Sequence, residues 1–144
     1  MMAVPVTEQI LAAIKAVLCT IPGMAQSVFR SREEALQREE LPAFVVMPDE
    51  EDTERFGGNT DRNTFRFELR IFVRGSVWDS VAAPLDQLAD RAIMLSPELV
   101  ALTDSLRRTG SRYNGANADE TAGEQVIRYQ ATYLSNIYDR SSRV

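Results

Sequence analysis

The stretch TFRFELRIFVRG, residues 64–75, constrains the fold more than any other part of the sequence. Apolar residues alternate there with mostly charged ones: Phe65, Phe67, Leu69, Ile71 and Val73 against Arg66, Glu68, Arg70, Phe72 and Arg74. Successive side chains of a β-strand point to opposite faces, so this pattern predicts a strand with one buried and one charged face. A strand of this length is typical of the centre of an antiparallel sheet.

Four further segments have the composition of strands. Residues 41–48, LPAFVVMP, form an apolar run that suits a strand of about five residues, and residues 26–31, QSVFRS, suit a shorter one. Residues 105–115 indicate a strand bent at Gly110, and residues 124–140 repeat the period-two alternation. Residues 115–123, GANADETAG, are expected to form a mobile turn, and SSRV to be a tail.

Two segments show helical periodicity. In the first, Thr7 is placed to cap a helix that ends at Ile21-Pro22-Gly23 and whose apolar arc is Ile10, Leu11, Ile14, Val17 and Leu18. In the second, Asp79 or Ser80 can cap a helix whose apolar arc is Val81, Leu85, Leu88, Ala89, Ala92 and Leu95, with Asp86, Gln87 and Asp90 on the opposite arc. Ser96-Pro97 ends this helix or begins a further short one.

The order helix, strands, helix, strands lacks the regular alternation that is typical of a parallel sheet. We therefore predict an α+β fold, an antiparallel or mixed β-sheet with two main helices packed on one face and with long flexible loops. The length of 144 residues suits a single domain over residues 1–144. The core of that domain is expected over about residues 7–138.

Composition disfavours several functional classes. The chain has no histidine, so an enzyme would depend on carboxylates, Lys15, Tyr, Ser or Cys19, and we expect no enzyme, cofactor or metal. A net charge of −5 argues against general affinity for nucleic acid or anionic membranes. The single cysteine permits no intrachain disulfide and suits a reducing compartment. No secretory signal is visible, and no apolar run approaches the roughly 20 residues of a membrane span.

Carboxylates are concentrated in MPDEEDTERFGGNTDRN, residues 47–63, which the sequence predicts to be a loop. They are Asp49, Glu50, Glu51, Asp52 and Glu54. Their spacing does not match a calcium-binding loop, and nothing holds two of them at the fixed separation that a glycosidase pair requires. A solvated loop and an interface with a cationic surface remain the alternatives.

Arginines offer the complementary surface. They lie on the charged face of the central strand and on the strand 105–115: Arg66, Arg70, Arg74, Arg107, Arg108 and Arg112. If the acidic loop of one subunit faces the arginines of the next, the contact is head-to-tail, and such contacts can close into rings. These arginines and the five carboxylates are the predicted subunit interface. Within one subunit the same charges could simply be solvated.

Several short sequence segments of the chain resemble those of a known family. IPGM, SVFRSR, LPAFVVMPDEED, FRFELRIFVRG, PLDQLADRA and VIRYQATYLSN, taken in this order, are similar to tail-terminator proteins of long-tailed bacteriophages, of the minor tail protein U type. The resemblance covers roughly residues 7–138. It implies an α+β subunit without a catalytic signature that assembles into a hexameric ring on the tail tube. The ring stops tube polymerisation and offers the surface that joins the head.

The resemblance also implies partners and a location. The partners are the chain itself, the tail-tube protein and a head-completion or connector protein, with no membrane and no specific nucleic-acid binding. The location is the virion tail, after assembly in the bacterial host cytoplasm. One alternative is a head-to-tail connector or tail-completion protein of a phage or prophage. An alternative of another class is a small-molecule-binding regulatory domain or a carboxylate enzyme, which would require a concave apolar pocket.

Overall fold

The computed structural model of the chain describes residues 3–32, 34, 36–115 and 122–144. Its elements are helix α1 (Val6–Leu18), strand β1 (Val28–Arg30), a 3-10 turn (Arg38–Glu40), strands β2 (Ala43–Gly57) and β3 (Thr60–Arg74), helices α2 (Trp78–Met94) and α3 (Pro97–Leu102), and strands β4 (Ser105–Gly115), β5 (Ala122–Asn136) and β6 (Asp139–Arg143). The strand order is β1-β2-β3-β5-β4, with β6 paired to β5. Only the β1–β2 pair is parallel among the described strands. The predicted α+β fold with a mixed sheet is confirmed.

The core lies between the helices and one face of the sheet. On one face of β3 every apolar residue is at most 4% exposed, as the alternation predicts: Phe65, Phe67, Leu69, Ile71 and Val73. Strand β3 is also central, paired to β2 and β5. The same cluster contains Ile10, Ile14 and Leu18 of α1 and Ile93 of α2. Both main helices therefore cover one face of the sheet, and we call the opposite side the open face.

The helix starts differ from the prediction by two or three residues. Helix α1 begins after Pro5 rather than at a Thr7 cap, and α2 begins after Val77 rather than after Asp79 or Ser80. Neither has a side-chain cap. The further short helix is confirmed as α3, where the hydroxyl of Ser96 accepts a hydrogen bond from the Leu99 amide.

The rotation of α2 about its axis also differs from the prediction. Val81, Leu88 and Leu95, assigned to the buried arc, are 42%, 48% and 66% exposed. Ala82, which lies outside the predicted arc, is fully buried, as is Ala89, which lies within it.

Hydrogen bonds from the sheet explain this rotation. Tyr129 of β5 donates its hydroxyl proton to Asp90 Oδ1 at 2.7 Å, and Arg108 Nη1 of β4 donates to Asp86 Oδ1 at 2.6 Å. Both carboxylates lie on the arc that periodicity assigned to solvent. They turn that arc toward β4 and β5, and part of the apolar arc is left exposed.

The strands differ from the prediction in two parts of the chain. Strand β2 continues from the apolar run through the acidic segment to Gly57, so the prediction of a loop there is wrong. The strand predicted over 124–140 ends at Asn136, so this prediction is too long. A separate strand, β6, follows; it includes most of the expected tail and pairs with the end of β5. The predicted bend at Gly110 is confirmed as a shift of register between Arg108 and Gly110. Most of the turn expected at 115–123 lies outside the described residues. None of the described helices is both long and apolar enough to cross a bilayer.

Candidate subunit interface

The acidic segment is a strand because β3 supplies cations across from it. Glu50 pairs with Arg66 in the antiparallel register, and Glu54 pairs with Arg62. Arg66 Nη1 contacts Glu50 Oε1 at 3.1 Å and also contacts Asp52, while Arg62 contacts Glu54. Opposite charges on facing positions stabilise a strand pair, whereas five neighbouring carboxylates without such partners would repel one another.

These ion pairs also affect the titration of the arginine. The hydrogen bond with Asp52 is the main cause that raises the pKa of Arg66 above its usual value. The carboxylates nevertheless stay accessible, since the side chains of Glu50, Asp52 and Glu54 are 61%, 70% and 63% exposed. We call these three residues, which share the open face, the acidic row. Each carboxylate can accept further hydrogen bonds from a second cation.

Glu51 lies on the other side of β2 and has a structural role. Tyr133 donates its hydroxyl proton to Glu51 Oε2 at 2.7 Å, and Arg140 of β6 donates to Glu51 Oε1 at 2.7 Å. Burial, followed by the hydrogen bond to Glu51, raises the pKa of Tyr133. Asp49 occupies the register shift between Pro48 and Glu50 and is exposed. Of the five predicted acids, three therefore lie on the open face, Glu51 lies on the face covered by the helices, and Asp49 lies in a bulge.

The arginines of β3 do not form a uniform cationic stripe. Arg66 is engaged by the acidic row, and Arg70 Nη2 lies 3.0 Å from Glu68 Oε2 on its own strand. The Arg70 side chain is about one-third exposed and borders a depression lined by Val45 and Phe72. Arg74, at the end of β3, is exposed and makes no ion pair with any described residue.

The arginines of β4 divide between the two faces. Arg108 faces α2, where Asp86 accepts two hydrogen bonds from its guanidinium at 2.6 and 3.0 Å. That contact is the main cause that raises the pKa of Arg108. Arg107 and Arg112 lie on the open face, are exposed, and make no ion pair within the described part of the chain.

A further arginine of the open face was missed by the sequence prediction. Arg128 of β5 is exposed between two buried neighbours, and its guanidinium lies over Gly110, where an added Cβ would be 3.0 Å from Nη2. The alternation of residues 124–136 contains the necessary signal, because it places Arg128 opposite the buried Ile127 and Tyr129. We call Arg107, Arg112 and Arg128 the arginine cluster.

The acidic row and the arginine cluster lie on the same open face of the sheet, near its opposite edges. β2 and β4 are separated by β3 and β5, so three strand spacings, about 14 Å, divide them. This distance exceeds the screening length of about 8 Å at physiological ionic strength. Within one subunit the two groups therefore interact weakly, and the open face is acidic on one side and basic on the other.

Other surface features of the described residues also bear on the requirements of a binding site. No three Asp, Glu or Cys side chains converge there as a bound metal ion requires. One surface depression lies between Trp78 and Tyr113, where α2 meets β4. Apolar residues of α2 and of its two ends form a second exposed surface, which the sequence prediction had placed partly in the core: Val77, Val81, Leu88 and Leu95.

Comparison with known proteins adds little to these observations. No family model matches the chain, and no curated protein matches it. Among solved structures, the chain is similar to one chain of the "Virion of native gene transfer agent (GTA) particle", with a TM-score of 0.48 and 10% sequence identity. The alignment covers 91% of this chain and 92% of that chain. A similarity of this size leaves function to be argued from the surfaces of the chain itself.

Proposed function

We propose that the chain is a non-catalytic structural protein of a phage or prophage tail. It forms a homo-oligomeric ring, with six subunits as the tail-terminator resemblance implies, which caps the tail tube and stops its polymerisation. The opposite side of the ring offers the surface to which the head attaches. Its partners are further copies of the chain, the tail-tube protein and a head-completion or connector protein.

The separation of charge across the open face carries this proposal. Each subunit has an acidic row on β2 and an arginine cluster on β4 and β5, two to three strand spacings or about 10–14 Å apart. Two such groups near opposite edges of one sheet fit a heterologous contact, in which the basic edge of one copy meets the acidic edge of the next. Every subunit of a closed ring then has both groups engaged, whereas an open chain of subunits leaves one of each unpaired at its ends.

A capping role follows from the closure of the ring. A ring whose lateral contacts are all satisfied has two remaining surfaces, its two ends, and one end can bind the last ring of the tube while the other binds the head. The head-to-tail connector is the alternative in the same class, because a connector also forms rings. The two roles differ in whether the protein binds the end of a headless tube and limits its length.

Electron microscopy of the purified chain mixed with headless tail tubes of the same phage tests the proposal. A terminator is expected as one additional ring, of the diameter of the tube, at one end of each tube. A matched sample without the chain gives tubes with two unmodified ends. Tubes that remain unmodified at saturating concentrations of the chain would refute the capping role.

A further inference from the structure

Two edges of the sheet are unpaired within the described residues. β1 pairs with β2 only at Phe44, Val45 and Val46, so β2 presents a free edge from Met47 to Gly57. β4 pairs with β5 on one side and with no described strand on the other. The free part of β2 and the whole of β4 are each eleven residues long. Unpaired edges of this length invite pairing with another strand unless charge or shape prevents it.

The directions of the strands favour pairing of these two edges with each other. The pairs β2–β3, β3–β5 and β5–β4 are all antiparallel, so β2 and β4 run in opposite directions. If two copies are placed side by side with their open faces on the same side, β4 of one copy lies antiparallel to β2 of the next. The sheet then continues from copy to copy in a head-to-tail arrangement, which is the type that closes into a ring.

Charge disfavours the competing edge pairings. Two β2 edges placed together would bring two acidic rows into contact, and two β4 edges would bring Arg107 and Arg112 against their own copies. Like charges directly opposite each other destabilise a strand pair. Only the mixed pairing places carboxylates against arginines, so the charges specify the partner as well as attract it.

On these grounds we propose that β4 of one subunit pairs antiparallel with the free edge of β2 of the next subunit, with Arg112 opposite Glu50. Because Thr109 is the additional residue of a bulge, successive open-face positions on β4 are Arg107, Gly110 and Arg112. The register then places Gly110 opposite Asp52 and Arg107 opposite Glu54. This inference rests on the proposed ring and specifies its subunit contact.

Gly110 has a specific role in this register. It has no side chain, and Arg128 of the neighbouring strand lies over it, with Nη2 3.0 Å from the position that a Cβ would occupy. The guanidinium can therefore extend across β4 toward Asp52 of the next subunit. Each carboxylate of the acidic row thus faces one arginine of the cluster.

Disulfide cross-linking tests the register. The variant Arg112→Cys/Glu50→Cys, in a Cys19→Ala background, places two thiols on facing positions, where Cβ atoms are about 4.5–5.5 Å apart. The matched control Arg112→Cys/Glu54→Cys removes the same two charges but displaces one thiol by four residues, about 13 Å along the strand. Oxidation of assembled protein is expected to link the first variant into covalent oligomers up to closed rings and to leave the control unlinked.

The outcomes distinguish this inference from the proposed function. If rings form and the control cross-links as well as the facing pair, or if neither does, the proposed edge pairing is wrong while the ring remains. If the wild-type chain forms no ring, either in isolation or on tube ends, the proposed function fails and this inference fails with it. Sedimentation of each variant before oxidation establishes which of these cases applies.

Discussion

Trp78 and Gly123 are packed so closely that a single methyl group between them is expected to destabilise the protein. A Cβ added at Gly123 of β5 would lie 1.9 Å from Cδ2 of Trp78 and 2.3 Å from Cε2 and Cε3. Real Cβ contacts do not approach this distance, and β5 is held on both sides by other strands. Gly123→Ala must therefore displace the indole ring, which is the first side chain of α2.

The expected cost follows from this overlap. Forcing additional volume into a packed site typically costs about 1–3 kcal/mol. For a chain of this size, each kcal/mol lowers the melting temperature by roughly 2–4 °C. The variant is expected to melt about 2–12 °C below the wild type. Trp78 is the only tryptophan, so its emission reports the displacement directly and should shift to longer wavelength.

A matched control lies directly opposite. Gly115 of β4 pairs with Gly123, and an added Cβ there meets nothing within 4 Å among the described atoms. Gly115→Ala is expected to be neutral or to stabilise by up to about 1 kcal/mol, because glycine in a strand loses more conformational entropy on folding. In a Trp78→Ala background the cost of Gly123→Ala should disappear. Equal stability and unchanged emission of the Gly123→Ala variant would refute the packing described.

Three further predictions concern charge and titration. Arg112→Glu is expected to weaken assembly at least tenfold, measured by sedimentation, because it places a carboxylate against the acidic row. Assembly of the wild type should also weaken as the salt concentration rises toward 1 M. Tyr129→Phe should lower the free energy of unfolding by about 1–3 kcal/mol, because it removes the donor to a carboxylate on α2. Glu8→Gln should reduce the loss of stability in acid, because the hydrogen bond from Arg30 lowers the pKa of Glu8 below its usual 4.5.

The control for the assembly experiment and the direction of each pH effect follow from the same contacts. Arg91 on α2 is exposed and lies away from the open face, so Arg91→Glu changes the charge equally and should leave assembly intact. Burial, then the hydrogen bond to Asp90, raises the pKa of Tyr129, so its contribution to stability is present below pH 10 and falls above it. Identical alkaline unfolding of wild type and Tyr129→Phe would contradict this. The contribution of Glu8 is present above about pH 4.5 and is lost as the pH falls through its folded pKa.

The parts of the fold that local pattern determines were predictable from the sequence. The alternation of β3 predicts its buried face and central position, and the apolar arc of α1 predicts Ile10 and Ile14 in the core. Ser96-Pro97 signals the start of α3 through its local cap. In each case the residues that decide the structure are close together in sequence.

The predictions that failed concern features that depend on residues elsewhere in the chain. β2 extends through the acidic segment because Arg62 and Arg66 of the next strand neutralise it, and nothing in residues 47–57 shows this. The rotation of α2 depends on Asp86 and Arg108, which are 22 residues apart.

The predicted site was altered by contacts within the subunit, most of them between residues distant in sequence. Arg108 and Glu51 belong to structural hydrogen bonds with α2 and with Tyr133, respectively. Arg70 is engaged by Glu68 on its own strand. Arg107 and Arg112 keep the exposure that an interface requires, and the exposed Arg128 adds to them. Their role between subunits stays a prediction.

The most direct test of the central claim is the length of growing tail tubes as a function of the concentration of this chain. Tube protein of the same phage is polymerised in vitro, and tube lengths are measured by electron microscopy with wild-type chain and with the Arg107→Glu/Arg112→Glu variant. A ring that closes through these arginines predicts that the wild type shortens the tubes in proportion to its concentration and that the variant, equally well folded by circular dichroism, does not. Equal tube lengths with wild type, variant and no added chain would contradict the account.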